Sequence, residues 1–426
     1  MMGEGAAETI SADVVVAGAG LVGPALALAL ARSGFEVALV DRLAEAVRAD
    51  PGFDGRAYAI ALGSAGCLGA LGLWASLEPK AEPIRDITVS EGRAGGPGRG
   101  PGGRRGSGPG GSDLHFDPRA LDEARVGLIL EDRYLRAALL SAVEAEEGVR
   151  HIAPAEVARA AFGPGRATIT LDDGRTISAP LAIAADGRGS TLAALGGIGR
   201  QVFRYGQTGL VAAIEHERPH GGRAHQSFFP GGPFAVLPLP ENRSGLVWSE
   251  RAGEAKRLMA LDDAGYEAAL AARIGPRLGR LRLAAPRRAF PLSLDLADAY
   301  AAPRLALAGD AAHGVHPIAG QGLNMGLRDV AALTEVLTEA ARRGEDIGDL
   351  AVLRRYERWR RFDNTALALG MDGLARLFSN ANPVLAALRR AGLRAVNRLP
   401  AATRFFMREA AGVSGLRSAM SQGRMP

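Results

Sequence analysis

Four apolar runs in the chain have the length and composition of buried strands, and stretches of good helix formers lie between or after them. The strand-like runs are rich in Val, Leu, Ile and Ala and end at glycine or at an acidic residue. Such an alternation of strand-like and helix-like segments predicts an α/β fold. The strand-like runs are residues 13–17, 35–40, 181–184 and 305–308, and the helix-like ones are 25–32 and 323–342.

A G-x-G-x-x-G pattern, Gly18, Gly20 and Gly23, follows the first strand-like run and precedes a helix-like one. In that context the glycines permit a tight turn and bring the backbone against a pyrophosphate at the helix amino terminus. Pro24 is unusual there but is tolerated in a first helical turn. Asp41 directly follows the second strand-like run, about 20 residues after the glycines. An acidic residue at that distance from the motif binds the ribose hydroxyls of a dinucleotide. The pattern predicts a dinucleotide site.

Residues 14–31 are also 18 consecutive uncharged residues, which is long enough for a membrane span. Three glycines, a proline and the strand-like beginning argue against that alternative. The start of the chain lacks the apolar core of a secretory signal, and Cys67 is the only cysteine, so no intramolecular disulfide is possible. We therefore expect a cytoplasmic protein.

Residues 309–326 read GDAAHGVHPIAGQGLNMG and follow the last strand-like run. Asp310 is well placed to accept hydrogen bonds from sugar-like hydroxyls. The loop 317–322 opens a helix whose first N–H groups attract negative charge, and its glycines let a flat ligand approach the main chain. His313 and His316 have the spacing of a metal pair, but no third ligand is indicated, so we expect no metal.

Asp186 and Gly187 follow the apolar run at 181–184. Ordinary turn chemistry alone explains an Asp-Gly pair after a strand. Its place between the other two motifs favours a functional role.

The three motifs, in this order and spacing, resemble those of the FAD-dependent aromatic hydroxylases, the class A flavoprotein monooxygenases. The segment HPIAGQGLNMGLRDV resembles the corresponding segment of the ubiquinone-biosynthesis polyprenylphenol hydroxylases in particular. Segments 131–139, 228–248 and 290–292 extend the resemblance to nearly the whole chain except 92–112.

The resemblance implies an α/β fold with a Rossmann-like FAD-binding domain of the p-hydroxybenzoate hydroxylase type. A mixed or antiparallel β-sheet substrate domain is inserted into it, and a helical tail closes the chain. The implied ranges are 8–75, 115–190 and 285–375 for the discontinuous FAD-binding domain, 76–114 and 191–284 for the substrate domain, and 376–426 for the basic tail.

The resemblance also implies the activity. NAD(P)H or another donor reduces FAD, and O2 then gives a flavin C4a-hydroperoxide that hydroxylates the ring of a lipid-tailed phenol in ubiquinone biosynthesis. No side chain is an obvious nucleophile, which fits chemistry carried by a cofactor. Two alternatives stay open: a flavin reductase or dehydrogenase acting on an isoprenoid, and a non-catalytic FAD-containing assembly subunit.

By the same resemblance, each motif residue takes a part in the site. The implied loop beside the flavin ring supplies the catalytic environment, with the Leu323 and Asn324 amides stabilising negative charge on the flavin. The catalytic set is Pro317, Gly320, Gln321, Gly322, Leu323 and Asn324. The cofactor-binding set is Gly18, Gly20, Gly23, Asp41, Arg42, Arg56, Arg133, Asp186, Gly187, Gly309 and Asp310.

The formal net charge is +5, and arginine supplies nearly all of the positive charge because Lys80 and Lys256 are the only lysines. Residues 381–426 hold eight arginines against one acid, Glu409, with apolar residues among them. Such a tail can lie on an anionic membrane surface or meet other ubiquinone-biosynthesis proteins. A helical pair packed on the core, with a solvated basic face, is the alternative.

Residues 92–112 are a low-complexity tract in which 11 of 21 positions are glycine. The tract has no large apolar residue to offset its ordering entropy, so we expect a flexible loop. Its arginines are similar to those of RNA-binding tails, but stacking aromatic residues are absent. We therefore expect no nucleic-acid partner.

Overall fold

The computed structural model describes residues 8–91, 114–116, 125–316, 320–378, 412 and 418–426. Its helices are α1 (Val22–Ala31), α2 (Glu45–Arg48), α3 (Leu62–Ala70), α4 (Trp74–Leu77), α5 (Asp132–Ala145), α6 (Thr191–Leu195), α7 (Ala252–Met259), α8 (Asp263–Ile274), α9 (Gln321–Arg342) and α10 (Leu350–Phe378). Its strands are β1 (Thr9–Ser11), β2 (Val14–Ala17), β3 (Val37–Val40), β4 (Ala57–Ala61), β5 (Glu82–Ile84), β6 (Asp86–Glu91), β7 (Leu114–Phe116), β8 (Gly127–Glu131), β9 (Val149–Ile152), β10 (Val157–Phe162), β11 (Ala167–Leu171), β12 (Thr176–Ala179), β13 (Leu181–Ala184), β14 (Arg200–His216), β15 (Arg223–Phe229), β16 (Gly232–Leu239), β17 (Arg243–Arg251), β18 (Leu281–Leu283), β19 (Arg288–Ala297), β20 (Ala301–Ala302), β21 (Leu305–Leu307) and β22 (His313–Gly314).

A six-stranded sheet in the order β20-β21-β13-β2-β3-β9 forms the centre of the fold. All neighbouring pairs are parallel except β20 with β21. The strands β2, β3, β13 and β21 are buried along their whole length, as expected for parallel strands covered on both faces. Because parallel strands end at the same edge, the turns after these four strands lie side by side.

A large mixed sheet stands beside the first, in the order β22-β19-β14-β17-β16-β15-β6-β7, with β18 pairing to β14. Its neighbours are antiparallel except β15 with β6. The helices α7 and α8 cover one face, where Trp248, Phe234 and Tyr266 are buried together. The predicted α/β fold with an inserted mixed sheet is confirmed.

Two smaller sheets complete the described strands, in the orders β1-β12-β11-β10 and β4-β8-β5. The second matters for the site because β4 and β8 are antiparallel, with Ala57 opposite Glu131. The start of β4 therefore lies beside the start of α5, so that Arg56 and Asp132 meet.

Two predicted boundaries shift by a few residues. Helix α1 begins at Val22 rather than at 25, with Pro24 in its first turn, where a missing amide costs no hydrogen bond. Helix α9 begins at Gln321, two residues before the predicted start. Residues 14–31 form β2, the glycine turn and α1, so the membrane-span alternative is wrong.

No helix in the described parts of the chain is both long enough and apolar enough to cross a bilayer. The tract 92–112 and most of the basic tail lie outside the described residues, so the expectations for them stay predictions, as do the domain boundaries. The last residues of the chain do pack on the core: Met420 is fully buried, and a Cβ on Gly66 of α3 would lie 2.3 Å from the Ser421 carbonyl oxygen. Residues 418–426 therefore pack on α3, and both readings of the rest of the tail stay predictions.

Candidate functional site

The glycine turn between β2 and α1 is shaped by its neighbours. Gly18 has φ +102°, and a Cβ there would lie 2.5 Å from the Ala185 carbonyl oxygen. A Cβ on Gly23 would lie 1.8 Å from the Gly18 carbonyl oxygen. Neither position admits a side chain. Gly20 differs, because a Cβ there would meet no atom of the described residues within 4 Å, which leaves open space beside the amino terminus of α1.

Asp41 directly follows β3 and is only 3% exposed. Its carboxylate accepts hydrogen bonds from the Ala19 amide at 2.5 Å and the Leu43 amide at 2.7 Å. Arg48 of α2 forms an ion pair with it at 2.8 Å. Asp41 therefore fastens the glycine turn to the end of β3, and a ribose hydroxyl would have to replace Arg48 there. The neighbouring Arg42 is exposed.

Asp186 and Gly187 follow β13 and lie against the glycine turn. Asp186 Oδ2 accepts a hydrogen bond from the Leu192 amide at 3.2 Å, while Asp186 Oδ1 is a buried atom without a hydrogen-bond partner in the described structure. Gly187 has φ +83°, which favours glycine. The unsatisfied oxygen is an acceptor that a ligand hydroxyl or a water can use.

Gly309 and Asp310 follow β21 on the same edge. Gly309 has φ +62° and packs against Val22 of α1. The Asp310 side chain is 43% exposed, so its carboxylate is open to a ligand. Arg188 pairs with the Asp310 carboxylate, with its Nε 3.2 Å from Asp310 Oδ2. The Arg188 Nη2 donates to the Val315 carbonyl oxygen at 2.6 Å.

The first turn of α9 is fastened to β4 by one side chain. Asn324 donates to the carbonyl oxygens of Ala59, at 2.8 Å, and Gly320, at 3.2 Å. Its Oδ1 accepts a hydrogen bond from the Ala61 amide at 3.0 Å. Because α9 begins at Gln321, the Leu323 backbone amide is among the helix-start amides that have no partner within the helix, and it can face a ligand. The Asn324 amide is the first that donates within the helix, to the carbonyl oxygen of the N-cap residue Gly320. Pro317 lies outside the described residues.

The two glycines of this turn are not equivalent. Gly320 has φ +61°, and a Cβ there would come within 3.2 Å of the Ala59 Cβ. At Gly322 the nearest atom to a Cβ would be Val315 Cγ2, at 3.9 Å, and φ is not positive. The backbone conformation therefore favours glycine at Gly320 but not at Gly322.

A cluster of charged side chains surrounds the start of α5. Arg56 pairs with Asp54 at 2.8 Å and with Asp132 at 3.1 Å. Arg133 pairs with the fully buried Glu131 at 2.7 Å, and its guanidinium lies 5.3 Å from the centre of the Phe53 ring. Arg56 and Arg133, which were both predicted to contact the cofactor, therefore lie close together at the start of α5. Each already has an acidic partner.

Tyr58 of β4 links this cluster to the Asp310 turn. Burial raises the pKa of the Tyr58 phenol above its ordinary value, and the nearby carboxylates of Asp132 and Asp310 raise it further. The phenol therefore stays protonated at neutral pH and donates a hydrogen bond. The sequence prediction missed both Tyr58 and Arg188. A signal existed only for Arg188, which directly follows the Asp-Gly motif.

Comparison with known proteins identifies the family. Residues 11–366 match the family model described as FAD binding domain. The chain belongs to this family. Ubiquinone hydroxylase UbiL of Rhodospirillum rubrum is 42% identical over 94% of the chain and 90% of its own length. The 3-demethoxyubiquinol 3-hydroxylase of Escherichia coli is 34% identical over 94% and 98%. Human ubiquinone biosynthesis monooxygenase COQ6 is 31% identical over 90% and 89%.

Solved structures support the fold. The p-nitrophenol 4-monooxygenase PnpA of Pseudomonas putida matches with a TM-score of 0.77 at 19% identity, covering 96% of this chain and 100% of that one. The probable FAD-dependent monooxygenase pqsL of Pseudomonas aeruginosa matches with a TM-score of 0.73 at 23% identity, covering 90% and 99%. The predictions of FAD as cofactor and of an FAD-dependent monooxygenase are confirmed.

The strand edge of this flavoprotein fits FAD. The open space at Gly20 lies in front of a ten-residue helix start, where a pyrophosphate is favoured. The buried Asp186 Oδ1 and the exposed Asp310 carboxylate offer acceptors for hydroxyl groups on the same edge. The Leu323 amide in the first turn of α9 suits the electron-rich end of a flavin ring.

Proposed function

We propose that the protein hydroxylates the aromatic ring of a polyprenylated phenol, a precursor of ubiquinone. The observation that carries this proposal is the match over nearly the full length to relatives named as ubiquinone hydroxylases, one of them at 42% identity. NAD(P)H, the reductant typical of the family, is the proposed co-substrate, and O2 supplies the oxygen atom.

The large sheet offers an apolar surface for such a substrate. Strand alternation places Leu210 and Trp248 under α7 and α8, so Val211 and Val247, which are paired neighbours, point to the opposite face. Both are only partly buried. Phe290 of β19 pairs with Gly209 on that same face and leaves 44% of its surface exposed. Arg288 is paired with Val211 on the same face, so the surface combines an exposed phenyl group and two valines with one cation. Such a surface suits an aromatic ring or the start of an isoprenoid chain.

The cofactor roles assigned from the sequence are retained as part of the proposal. Bound FAD, once reduced, supplies the oxygen chemistry, and the protein binds, orients and shields the reactants. The glycine turn would hold the pyrophosphate, Asp310 the ribityl chain, and Asp41 the adenosine ribose after displacing Arg48. Arg42 would border the adenine, and Arg56 and Arg133 would contact phosphate or the ring edge.

The chain's own groups then have specific tasks near the flavin. Of the two amides implied by the resemblance, that of Leu323 would stabilise negative charge near the flavin, and its direction would be set because the Asn324 side chain holds the turn on β4. Tyr58 donates its proton in a hydrogen bond and stays neutral. Arg188 holds the Val315 carbonyl and keeps the Asp310 turn against the edge of the large sheet.

Incorporation of labelled oxygen tests the reaction. The purified holoenzyme is incubated with NAD(P)H, a prenylated phenol and 18O2, and the product is analysed by mass spectrometry. One 18O atom in a new ring hydroxyl supports the proposal. Substrate-dependent NAD(P)H oxidation without the label would instead support the reductase or dehydrogenase alternative. A deletion strain that accumulates the unhydroxylated precursor identifies the ring position.

A peripheral membrane location and contacts with other ubiquinone-biosynthesis proteins are also proposed, on the charge of the tail. Since 418–426 pack on α3, truncation of the whole tail would damage the core. The sharper variant replaces Arg389, Arg390, Arg394 and Arg398 by Gln. Anionic vesicles should then bind the variant less than the parent, and salt should weaken binding of the parent. If the parent and the variant bind anionic vesicles equally, the tail does not bind the membrane through these arginines, and the packed alternative is favoured.

A further inference from the structure

Asp329 on α9 has a fully buried carboxylate, which lies against the turn that follows β21. Its Oδ2 accepts hydrogen bonds from the Gly309 amide at 3.0 Å and from His313 Nε2 at 2.5 Å. Its Oδ1 accepts from Arg360 Nε at 3.0 Å and from Asn364 Nδ2 at 3.1 Å. One side chain thus joins β21, β22, α9 and α10.

The carboxylate is charged despite its burial. Burial alone would raise the pKa of Asp329, but His313, Arg360 and Asn364 together lower the pKa to about 2. A buried anion keeps its stability only while its donors stay in place, and loss of one partner leaves an uncompensated group. The positions of the four donors are therefore strongly coupled.

The Gly309 amide is the donor that reaches the cofactor site. Gly309 has φ +62°, a conformation in which the direction of its peptide N–H is set by the turn. Asp310 is the next residue, and its carboxylate faces the site with Arg188 beside it. The Asp329 hydrogen bond therefore anchors the turn one residue before Asp310, and its loss would let that turn shift.

We propose that Asp329 is a positioning residue for FAD, acting through the Gly309 amide on Asp310. A buried ion pair that only stabilises the core would have no effect on FAD affinity beyond its effect on folding. Asp329 does not touch the ligand space itself, because Gly309 stands between them. The proposal rests on the FAD-binding family and not on the identity of the phenol.

A double-mutant cycle in the full-length protein tests this coupling. The FAD dissociation constant is measured by flavin fluorescence for the parent, Asp310→Asn, Asp329→Asn and the double variant. Each single variant should weaken FAD binding by roughly tenfold. Because Asp329 acts through Asp310, the double variant should bind FAD no more weakly than Asp310→Asn alone. Multiplicative effects in the double variant, or an unchanged dissociation constant in either single variant, would overturn the proposal.

Two further proteins separate positioning from folding. Glu250 of β17 is a matched control, because it is also buried and pairs with Arg273 at 2.8 Å in another part of the molecule. Glu250→Gln should lower the melting temperature but leave FAD affinity unchanged. If Asp329→Asn does not fold, Asp329→Asn with Arg360→Gln removes both buried charges and should fold more readily. That variant should still show weak FAD binding and an altered flavin absorption band, and parental values for both would contradict the proposal.

Discussion

The Arg188 guanidinium lies 3.2 Å from the Asp310 carboxylate, although 122 residues separate the two in the sequence. The same guanidinium donates to the Val315 carbonyl at 2.6 Å, and a Cβ on Gly314 would lie 2.9 Å from Arg188 Nε. Arg188 therefore holds the chain that leads into the proposed flavin loop. It also gives the exposed Asp310 carboxylate a fixed direction.

Replacement of Arg188 should damage turnover more than cofactor binding. In Arg188→Met the Val315 carbonyl loses its donor, and a small displacement of groups near a reacting centre costs up to about 100-fold in rate. We expect kcat to fall by at least about tenfold while FAD stays bound, since Asp310 remains available to hydroxyls. Oxygen consumption and flavin content are the measurements. Arg175→Met, which breaks a pair on a surface turn, is the control and should match the parent.

Loss of the Asp310 charge should weaken FAD without unfolding the protein. A hydrogen bond to a charged group contributes about 1.5–3 kcal/mol, and partial solvent exposure favours the lower end of that range. Asp310→Asn should therefore raise the FAD dissociation constant by roughly tenfold. Equilibrium dialysis against free FAD measures it, with circular dichroism to verify the fold. Parental affinity would remove Asp310 from the cofactor site. Glu254→Gln, which removes a surface ion pair with Arg257 on α7, is the control.

Gly320 and Gly322 should respond to substitution in different ways. Gly320→Ala places a side chain at positive φ, which costs about 1–2 kcal/mol, so its melting temperature should fall. In Gly322→Val the φ is tolerated and the added Cβ comes no nearer than 3.9 Å to an atom of the described residues, so the fold should persist. If the turn faces the flavin, the valine side chain should still obstruct the ring and reduce oxygenation. If the Gly322→Val protein turns over at the parental rate, the turn does not contact the flavin and serves only to start α9.

The local parts of the site were predictable from the sequence, and the pairings between distant parts were not. Gly18, Asp41, Asp186 and Asp310 all follow short apolar strands, and parallel strands bring their carboxyl ends to one edge. The composition and spacing of these segments therefore predict which residues lie at that edge. The ion pair that occupies Asp41 joins it to Arg48, and its existence depends on how α2 packs, which no spacing rule encodes.

Burial was equally hard to foresee. Asp310 follows a buried strand, yet its side chain is exposed because the chain turns at Gly309, whereas Asp329 is buried within an ordinary helical pattern. Tyr58 gave no signal of its own, because its significance comes from Asp132 and Asp310, which lie far away in sequence. Side-chain partners of this kind follow from tertiary structure alone.

His316 should make stability depend on mildly acidic pH. Burial, aided by the nearby Arg188 charge, lowers the pKa of His316 to about 4 from its ordinary value of 6.5. Between those values the unfolded chain binds the proton and the folded chain does not, so stability falls as pH drops from 6.5 to 4. The loss should reach about 3 kcal/mol at most. Urea unfolding at several pH values compares the parent with His316→Gln, and an identical slope in both would contradict the assignment.

The glycine-rich tract 92–112 should be dispensable for catalysis. Strands β6 and β7 are antiparallel neighbours, with Val89 opposite Leu114, so the two ends that the tract joins are already adjacent. A linker of about four Gly and Ser residues can span such a connection, and closure entropy changes only slowly with loop length. The shortened protein should keep parental FAD affinity, melting temperature and turnover of a water-soluble phenol. Replacement of the four arginines in the tract by Ser at full length is the matched comparison for charge. A loss of turnover in the short-linker protein alone would show that length matters, and a loss in both would give the tract's arginines a part in the reaction.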